Sequence, residues 1–274
     1  MLGASLALAV RARYPECCIA LWARRDAAVA EVKAAGISDI ASTSLAPVVE
    51  EADLVVFCVP MEAMPDLAVQ MLPYLKADAL VTDVGSAKKE VVEKLGAIFA
   101  EKGRFVGSHP MAGSEQSGLA AARGDLFEGA VCIVTPVEGS DRNAVQAVSS
   151  FWEQLGCRVR CLTPEEHDQT VGLVSHLPHL LAAVLVDFVC SRNPNSVNFC
   201  GNGFRDTTRI ASGPAAMWAG IFASNRSVLS EELDLFITKL QSVAAILKGG
   251  DDEAMMRLLA DAKRERDRIA PAKR

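Results

Sequence analysis

No C-x-x-C pair occurs among the eight cysteines of this chain, which stand at positions 17, 18, 58, 132, 157, 161, 190 and 200. Zinc-ribbon spacings are therefore missing, and no metal site is expected. Several of these cysteines lie inside apolar runs, Cys58 in L-V-V-F-C-V and Cys132 in A-V-C-I-V. There a free thiol acts as a small buried hydrophobe, and a reducing compartment is the simplest explanation. An excess of one charge is also lacking: 28 Lys and Arg face 34 Asp and Glu, for a net charge of −6. That balance argues against a nucleic-acid or anionic-membrane partner. The basic tail from Lys263 onward carries its own acids, Glu265 and Asp267, and reads as a solvated helix end. Leu2–Val10 is apolar but has no basic segment before it and no convincing cleavage site. The most apolar later stretch, Leu173–Cys190, is broken by His176, Pro178, His179 and Asp187. Such a segment belongs in a protein core rather than in lipid, so a cytoplasmic protein is expected. No internal repeat is found.

What is present is an alternation. At 274 residues, half of them apolar, the chain has room for two domains. Strands are predicted at Cys18–Ala23, Leu54–Val59, Ala79–Val84, Phe105–Ser108, Val131–Thr135 and Arg158–Leu162, with amphipathic helices between them such as Ala27–Ala35 and Lys88–Lys102. This order predicts an α/β fold, a parallel sheet with helices on both faces. At Thr163-Pro164-Glu165-Glu166 the pattern changes: an N-cap, a proline at the first helical position and acids in the first turn. Beyond it the periodicity is helical, including Gln241–Lys248 and Glu253–Lys263 around Gly249-Gly250-Asp251. A boundary is placed there, giving an α/β domain over 1–163 and an all-helical one over 164–274.

The first residues, M-L-G-A-S-L-A-L-A-V, fit the end of a dinucleotide-binding turn running into a helix over Ala4–Tyr14. Such a site needs a strand, G-x-G-x-x-G and a helix, and Gly3 fits the third glycine, where helix and sheet pack closely. The first strand and the two earlier glycines are missing, and a sheet lacking that central strand is improbable. The sequence is therefore expected to be truncated, as from a misplaced start codon.

Three clusters carry chemistry. D-V-G-S-A-K, Asp83–Lys88, follows a strand, and the carboxyl ends of parallel strands face the ligand crevice, so Ser86 and Lys88 are set to meet a substrate. A polar turn in which Ser86 caps the next helix is the alternative. In G-S-H-P-M-A-G-S-E-Q-S-G, Gly107–Gly118, His109 comes directly after a short strand, is locked by Pro110, and has the ordinary pKa range of a general base. The third cluster combines S-H-L-P-H, Ser175–His179, with G-N-G-F-R-D-T-T-R-I-A, Gly201–Ala211, and Trp218 beyond it. Arg209 offers a planar fork for a carboxylate; a surface bridge to Asp206 is the alternative.

Taken in order, D-V-G-S-A-K, G-S-H-P-M-A-G, S-H-L-P-H and R-D-T-T-R-I-A with Met217-Trp218 resemble the prephenate/arogenate dehydrogenase family of tyrosine biosynthesis. The resemblance implies a Rossmann-like domain followed by a helical domain that forms a homodimer. It implies oxidative decarboxylation of a small molecule, prephenate or arogenate, with NADP or NAD as cofactor. His109 matches the catalytic histidine that takes the hydroxyl proton, and Ser86 the serine that bonds the same hydroxyl. Arg209 matches the carboxylate-binding arginine and His176 a substrate-contacting histidine, while His179, Gly203 and Trp218 match pocket-lining positions. The candidate cofactor-binding residues are Gly3, Ser5, Arg24, Arg25, Val59, Pro60 and Ser86. A 3-hydroxyacid or imine reductase, or a degenerate dinucleotide-binding module without catalysis, are the competing readings. An NAD site places an acid about twenty residues after its glycines. Here that position is Ala23, followed by Arg24 and Arg25, which predicts a preference for the 2′-phosphate of NADP; two solvated loop arginines, with Asp26 capping the next helix, are the alternative.

Overall fold

The structure is a computed structural model and describes residues 1–100, 104–113, 116 and 118–269. By contact the chain divides into two compact units, Met1–Asn225 and Arg226–Arg274. The first opens with α1 (Leu2–Arg13), β1 (Ala20–Trp22), α2 (Asp26–Ala35), β2 (Ile40–Ser42), α3 (Ala46–Val49) and β3 (Leu54–Phe57). It continues with α4 (Met64–Met71), β4 (Leu80–Asp83), α5 (Lys89–Ile98), β5 (Arg104–Phe105), β6 (Gly107–Pro110), β7 (Val131–Thr135), α6 (Arg142–Gln154) and β8 (Arg158–Cys161). The helices α7 (Pro164–Val171), α8 (Leu177–Arg192), α9 (Asn202–Thr208) and α10 (Ala215–Ser224) complete it. The second unit is a helical pair, α11 (Arg226–Gly249) and α12 (Asp252–Arg268). The α/β half followed by helices is the predicted fold class.

The strands form three short sheets: β1-β2, β3-β4-β5 and β6-β7-β8. Every ladder is parallel except β6 with β7, which is antiparallel. This corrects two expectations. The predicted strand Phe105–Ser108 is two strands broken at Val106, and His109 lies within β6, opposite Ile133, rather than after a strand. The break follows from Asp83, whose side chain accepts the Ser108 N–H (3.1 Å) while its carbonyl accepts the Ser108 hydroxyl (2.7 Å). Side-chain bonds thus replace the ladder that β6 would otherwise make with β4, freeing its edge for β7. The short strand β2, I-A-S, escapes a pattern search because three residues show no alternation.

Two apolar clusters support the α/β half. One centres on Trp152 and Phe127 with Leu6, Leu80 and Val134, the other on Met64, Phe99, Leu95 and Phe57. Trp152 is fully buried yet satisfied, its Nε1 donating to Ser108 Oγ at 2.9 Å. The predicted helix start at Thr163 is a complete capping box: Thr163 Oγ1 accepts the Glu166 N–H and Glu166 Oε2 accepts the Thr163 N–H.

From Pro164 to Arg192 the chain is continuously helical, long and apolar enough by length and composition alone to cross a membrane. It is not one regular helix. Gly172–His176 forms a wide π-helical turn between α7 and α8. Pro178 gives the reason, since it lacks an N–H and its ring would strike the carbonyl four residues earlier; a widened turn relieves both. The inward side of this run carries His167, Asp168, His176 and His179, all buried. Its outward side leaves Leu173, Val174, Val184, Leu185 and Phe188 exposed.

Candidate active site

Asp168 organises the site. Its two carboxylate oxygens accept the N–H groups of Lys88 (2.7 Å) and Lys89 (3.0 Å), at the first turn of α5. A carboxylate on these otherwise unpaired donors is also favoured by the helix dipole. Burial works to raise Asp168, but the bonds from His167 and the two amides outweigh it and hold the carboxyl below the ordinary range. Asp168 is therefore an acceptor only.

The consequences pass along two rings. His167 Nδ1 lies 2.8 Å from Asp168 Oδ1, and His167 Nε2 lies 2.9 Å from His109 Nδ1. Burial lowers the pKa of His167, so it is neutral at pH 7. Because Asp168 cannot donate, His167 must carry its proton on Nδ1, and its Nε2 must accept. His109 therefore carries its own proton on Nδ1, and the lone pair stands on Nε2. Burial, and next the neighbouring His167, Lys88 and His176, push His109 well below its ordinary pKa. A neutral imidazole with a defined lone pair is what a general base requires.

Lys88, expected to face a substrate, does not. It is fully buried and forms an ion pair with Asp83, also fully buried, at the end of β4. Its charge helps to keep the His109 ring neutral. Ser86 is half-buried in the β4–α5 loop and is not the cap of α5, a position taken over by Asp168 from α7.

A second group of rings adjoins the first. Asn225 Nδ2 donates to the Asp168 carbonyl (2.8 Å) and lies 3.1 Å from His176 Nδ1. Burial drives His176 down to about 4; the nearby Asp168 and the Ser86 main chain oppose this without reversing it. His176 meets the edge of Trp218, whose face stacks on His179 with centroids 3.5 Å apart. A Cβ on Gly213 would lie 2.5 Å from Trp218 Nε1 and 3.2 Å from His179 Cε1, so only glycine admits this stack. Among the described residues His176 Nε2 and His179 Nδ1 are buried without a hydrogen-bond partner. Such orphan nitrogens can form their missing bonds with a polar ligand or with water.

The residues suited to a dinucleotide lie at the carboxyl ends of β1, β3 and β4. Gly3 packs α1 against the end of β3: a Cβ there would be 3.3 Å from Cys58 Cβ. The first turn of α1 has no side-chain cap and no acid, leaving its N–H groups for an anion such as a pyrophosphate. Val59 and Pro60 follow β3 after Cys58, and Ser86 follows β4. Arg24 and Arg25 are exposed, and among the described residues neither forms a salt bridge. This set fits a dinucleotide. Ser5 departs from expectation: it is fully buried, and its hydroxyl accepts the Arg123 N–H (3.0 Å), so it faces packed protein.

His109 and His176 are thus brought into one network with His179 and Trp218. Arg209 stands exposed on a short turn that packs against α8. Gly203 is exposed in α9, with nothing within 4 Å of where its Cβ would be. Sequence reasoning missed His167, Asp168 and Asn225. The first two hide in P-E-E-H-D-Q, which reads as a solvated first helical turn, and only their full burial distinguishes them. Asn225 closes an apolar helix and carries no pattern of its own.

Comparison with known proteins now decides the family. The family profile described as "Prephenate dehydrogenase, nucleotide-binding domain" matches residues 6–161. The profile "Prephenate dehydrogenase, dimerization domain" matches residues 163–261. The chain belongs to the prephenate dehydrogenase family. It is 34% identical over 272 residues to prephenate dehydrogenase of Bacillus subtilis, covering 97% of this chain and 73% of that one. It is 30% identical over 270 residues to cyclohexadienyl dehydrogenase of Zymomonas mobilis, covering 97% and 92%. Among solved structures, prephenate dehydrogenase from Aquifex aeolicus in complex with hydroxyphenyl propionate and NAD+ superposes with a TM-score of 0.92 at 32% identity, covering 98% of this chain and 95% of that chain. Like other members of this family, the chain is an NAD(P)-dependent dehydrogenase performing oxidative decarboxylation in tyrosine biosynthesis.

Proposed function

We propose that His109 Nε2 takes the ring-hydroxyl proton of a cyclohexadienol substrate, with Asp168 and His167 fixing the tautomer and stabilising the charge that develops. The hydrogen-bonded chain from Asp168 Oδ1 to His109 Nδ1 carries this reading. When bound, the nicotinamide ring supplies the acceptor for the hydride that leaves the hydroxyl-bearing carbon. The ring carboxylate then departs as carbon dioxide, its bonding electrons complete the aromatic ring, and His109 returns its proton to the phenolate oxygen. Aromatisation provides the driving force, so the side chains mainly orient groups and move one proton.

Ser86 hydrogen-bonds the same hydroxyl, and Arg209 holds a substrate carboxylate through its planar fork. His176 donates from Nε2 to a substrate oxygen, and His179 with Trp218 forms an aromatic wall; Gly203 leaves space at the pocket rim. Prephenate and arogenate both meet this description, and parallel assays of carbon dioxide release with each separate them.

The cofactor we propose is NADP, held by Gly3, Val59, Pro60 and Ser86, with Arg24 and Arg25 on the 2′-phosphate. Two exposed guanidinium groups, without a salt bridge among the described residues, stand where an NAD site carries an acid and support this choice. The expected result is a higher kcat/KM with NADP than with NAD, reduced about tenfold or more in Arg24→Ala. A preference for NAD, or one for NADP untouched by removing both arginines, excludes it. We further propose a cytoplasmic homodimer with residues 164–274 as its substrate and dimerisation part. The exposed apolar face of α8 supports this, since a symmetric two-fold contact is the usual way to bury such a patch.

A further inference from the structure

We propose that Asn225 is a positioning residue, fixing His176 as the tautomer protonated on Nε2 so that its partnerless nitrogen is a hydrogen-bond donor. The Asp168 carbonyl oxygen only accepts, so the Asn225 atom 2.8 Å from it is the amide nitrogen rather than the amide oxygen. That nitrogen carries two hydrogens. One goes to Asp168 O, and the other points to His176 Nδ1, 3.1 Å away. An amide nitrogen accepts nothing, so Nδ1 must be the acceptor and must lack a proton. A neutral ring then has its proton on Nε2, the atom that is buried with no partner among the described residues.

The ring is kept neutral by its surroundings. His176 is fully buried, and the titratable groups acting on it are Asp168, His167 and His179. Asp168 favours the charged ring but cannot offset burial, and His167 and His179 work with burial. Asn225 is itself 4% exposed, closing α10 where that helix ends.

Asp168 thereby assigns opposite roles to two rings. Its carboxylate, through His167, leaves His109 Nε2 with a lone pair. Its main-chain carbonyl, through Asn225, leaves His176 Nε2 with a hydrogen. One ring accepts a proton and the other donates a hydrogen bond. The consequence for substrate binding rests on the reading that His176 meets a substrate oxygen, whereas the tautomer assignment does not.

The chain has only four histidines, so the full-length protein labelled with [15N]histidine is readable ring by ring. Long-range proton–nitrogen spectra should show the His176 ring, identified by the signal lost in His176→Gln, neutral and protonated on Nε2 between about pH 6 and 8. In Asn225→Asp a carboxylate replaces the donor, so the ring must carry a proton on Nδ1, either alone or as imidazolium. KM for prephenate or arogenate should then rise about tenfold or more as pH climbs through the new ring pKa, because deprotonation removes the Nε2 hydrogen. The wild-type KM should show no such step. Asn225→Gln, which keeps an amide donor, should restore the Nε2–H signal if it reaches the ring. A wild-type His176 protonated on Nδ1 or charged at neutral pH overturns the proposal, whether or not any variant folds. An unchanged ring signal in a folded Asn225→Asp also overturns it. Absence of turnover with either substrate would instead defeat the dehydrogenase reading and leave the spectral test standing.

Discussion

At the scale of single residues the site is a matter of which atoms carry protons. Asp168 imposes the direction of the hydrogen bonds, and the sharpest substitution is therefore one that keeps its shape. Asp168→Asn leaves one amide oxygen where a carboxylate accepts from Lys88, Lys89 and His167, so in either orientation its NH2 faces an N–H donor and the anion that holds the His167 proton on Nδ1 is lost. His109→Asn removes the base outright. Both should lower kcat by about 10²–10⁴ while cofactor affinity, read by equilibrium titration, changes little. The wild-type profile follows from the same chemistry. Burial holds His109 well below its ordinary pKa, so kcat/KM should rise with pH only in the acid range and be flat through neutrality. A limb centred near the ordinary histidine pKa would show that His109 titrates as an exposed ring. Much of this was legible in the sequence: S-H-P-M-A-G and S-H-L-P-H single out His109, His176 and His179. The partners were not, because His167 lies 58 residues from His109 and Asn225 lies 49 from His176. Only folding makes them neighbours.

At the scale of elements, helix α7 acts by docking its Asp168 on the first turn of α5, and the π-helical turn at Gly172–His176 presents His176 itself and sets how α8 presents His179. The strong start at Thr163 could be read from residue types alone, since a capping box is local chemistry. The π-helical turn could not, although Pro178 is its cause, because a proline in a helical pattern equally predicts a plain helix end. The split of Phe105–Ser108 was hidden for a related reason: Asp83, distant in sequence, captures Ser108. Gly213 gives a test at this scale. In Gly213→Ala the new methyl would overlap Trp218 and press on His179, so their stack must open. KM should rise several-fold to about tenfold with kcat less affected, and indole fluorescence should shift. An alanine variant with wild-type KM would show that the stack plays no part in substrate binding.

For the whole molecule, the buried neutral rings tie stability to pH. His176 has a pKa of about 4 in the folded state, against 6.5 for an unperturbed histidine. Below pH 6.5 the unfolded chain binds protons that the folded chain does not, so stability falls as pH drops from about 6.5 to about 4. This ring alone contributes a loss of roughly 3 kcal/mol at most, and His109 and His167 act in the same direction. Asp168 has a lowered pKa, so its contribution is present above the ordinary carboxylate range and is lost only at still lower pH. Tm should therefore decline steadily from pH 6.5 downward; a constant Tm to pH 5 would mean that the rings are not buried neutral. The fold class was readable, because alternation is a property of the chain, although β2 and the split between β5 and β6 were not. The Asp168 network joins the two halves of that pattern, and on it rests the assignment of His109 as base. The most direct test is the single-turnover rate of reduced-cofactor formation in Asp168→Asn at neutral pH, with saturating cofactor and substrate. The relay predicts a fall of about two to four orders of magnitude with cofactor affinity intact; a rate within a few-fold of wild type would contradict it.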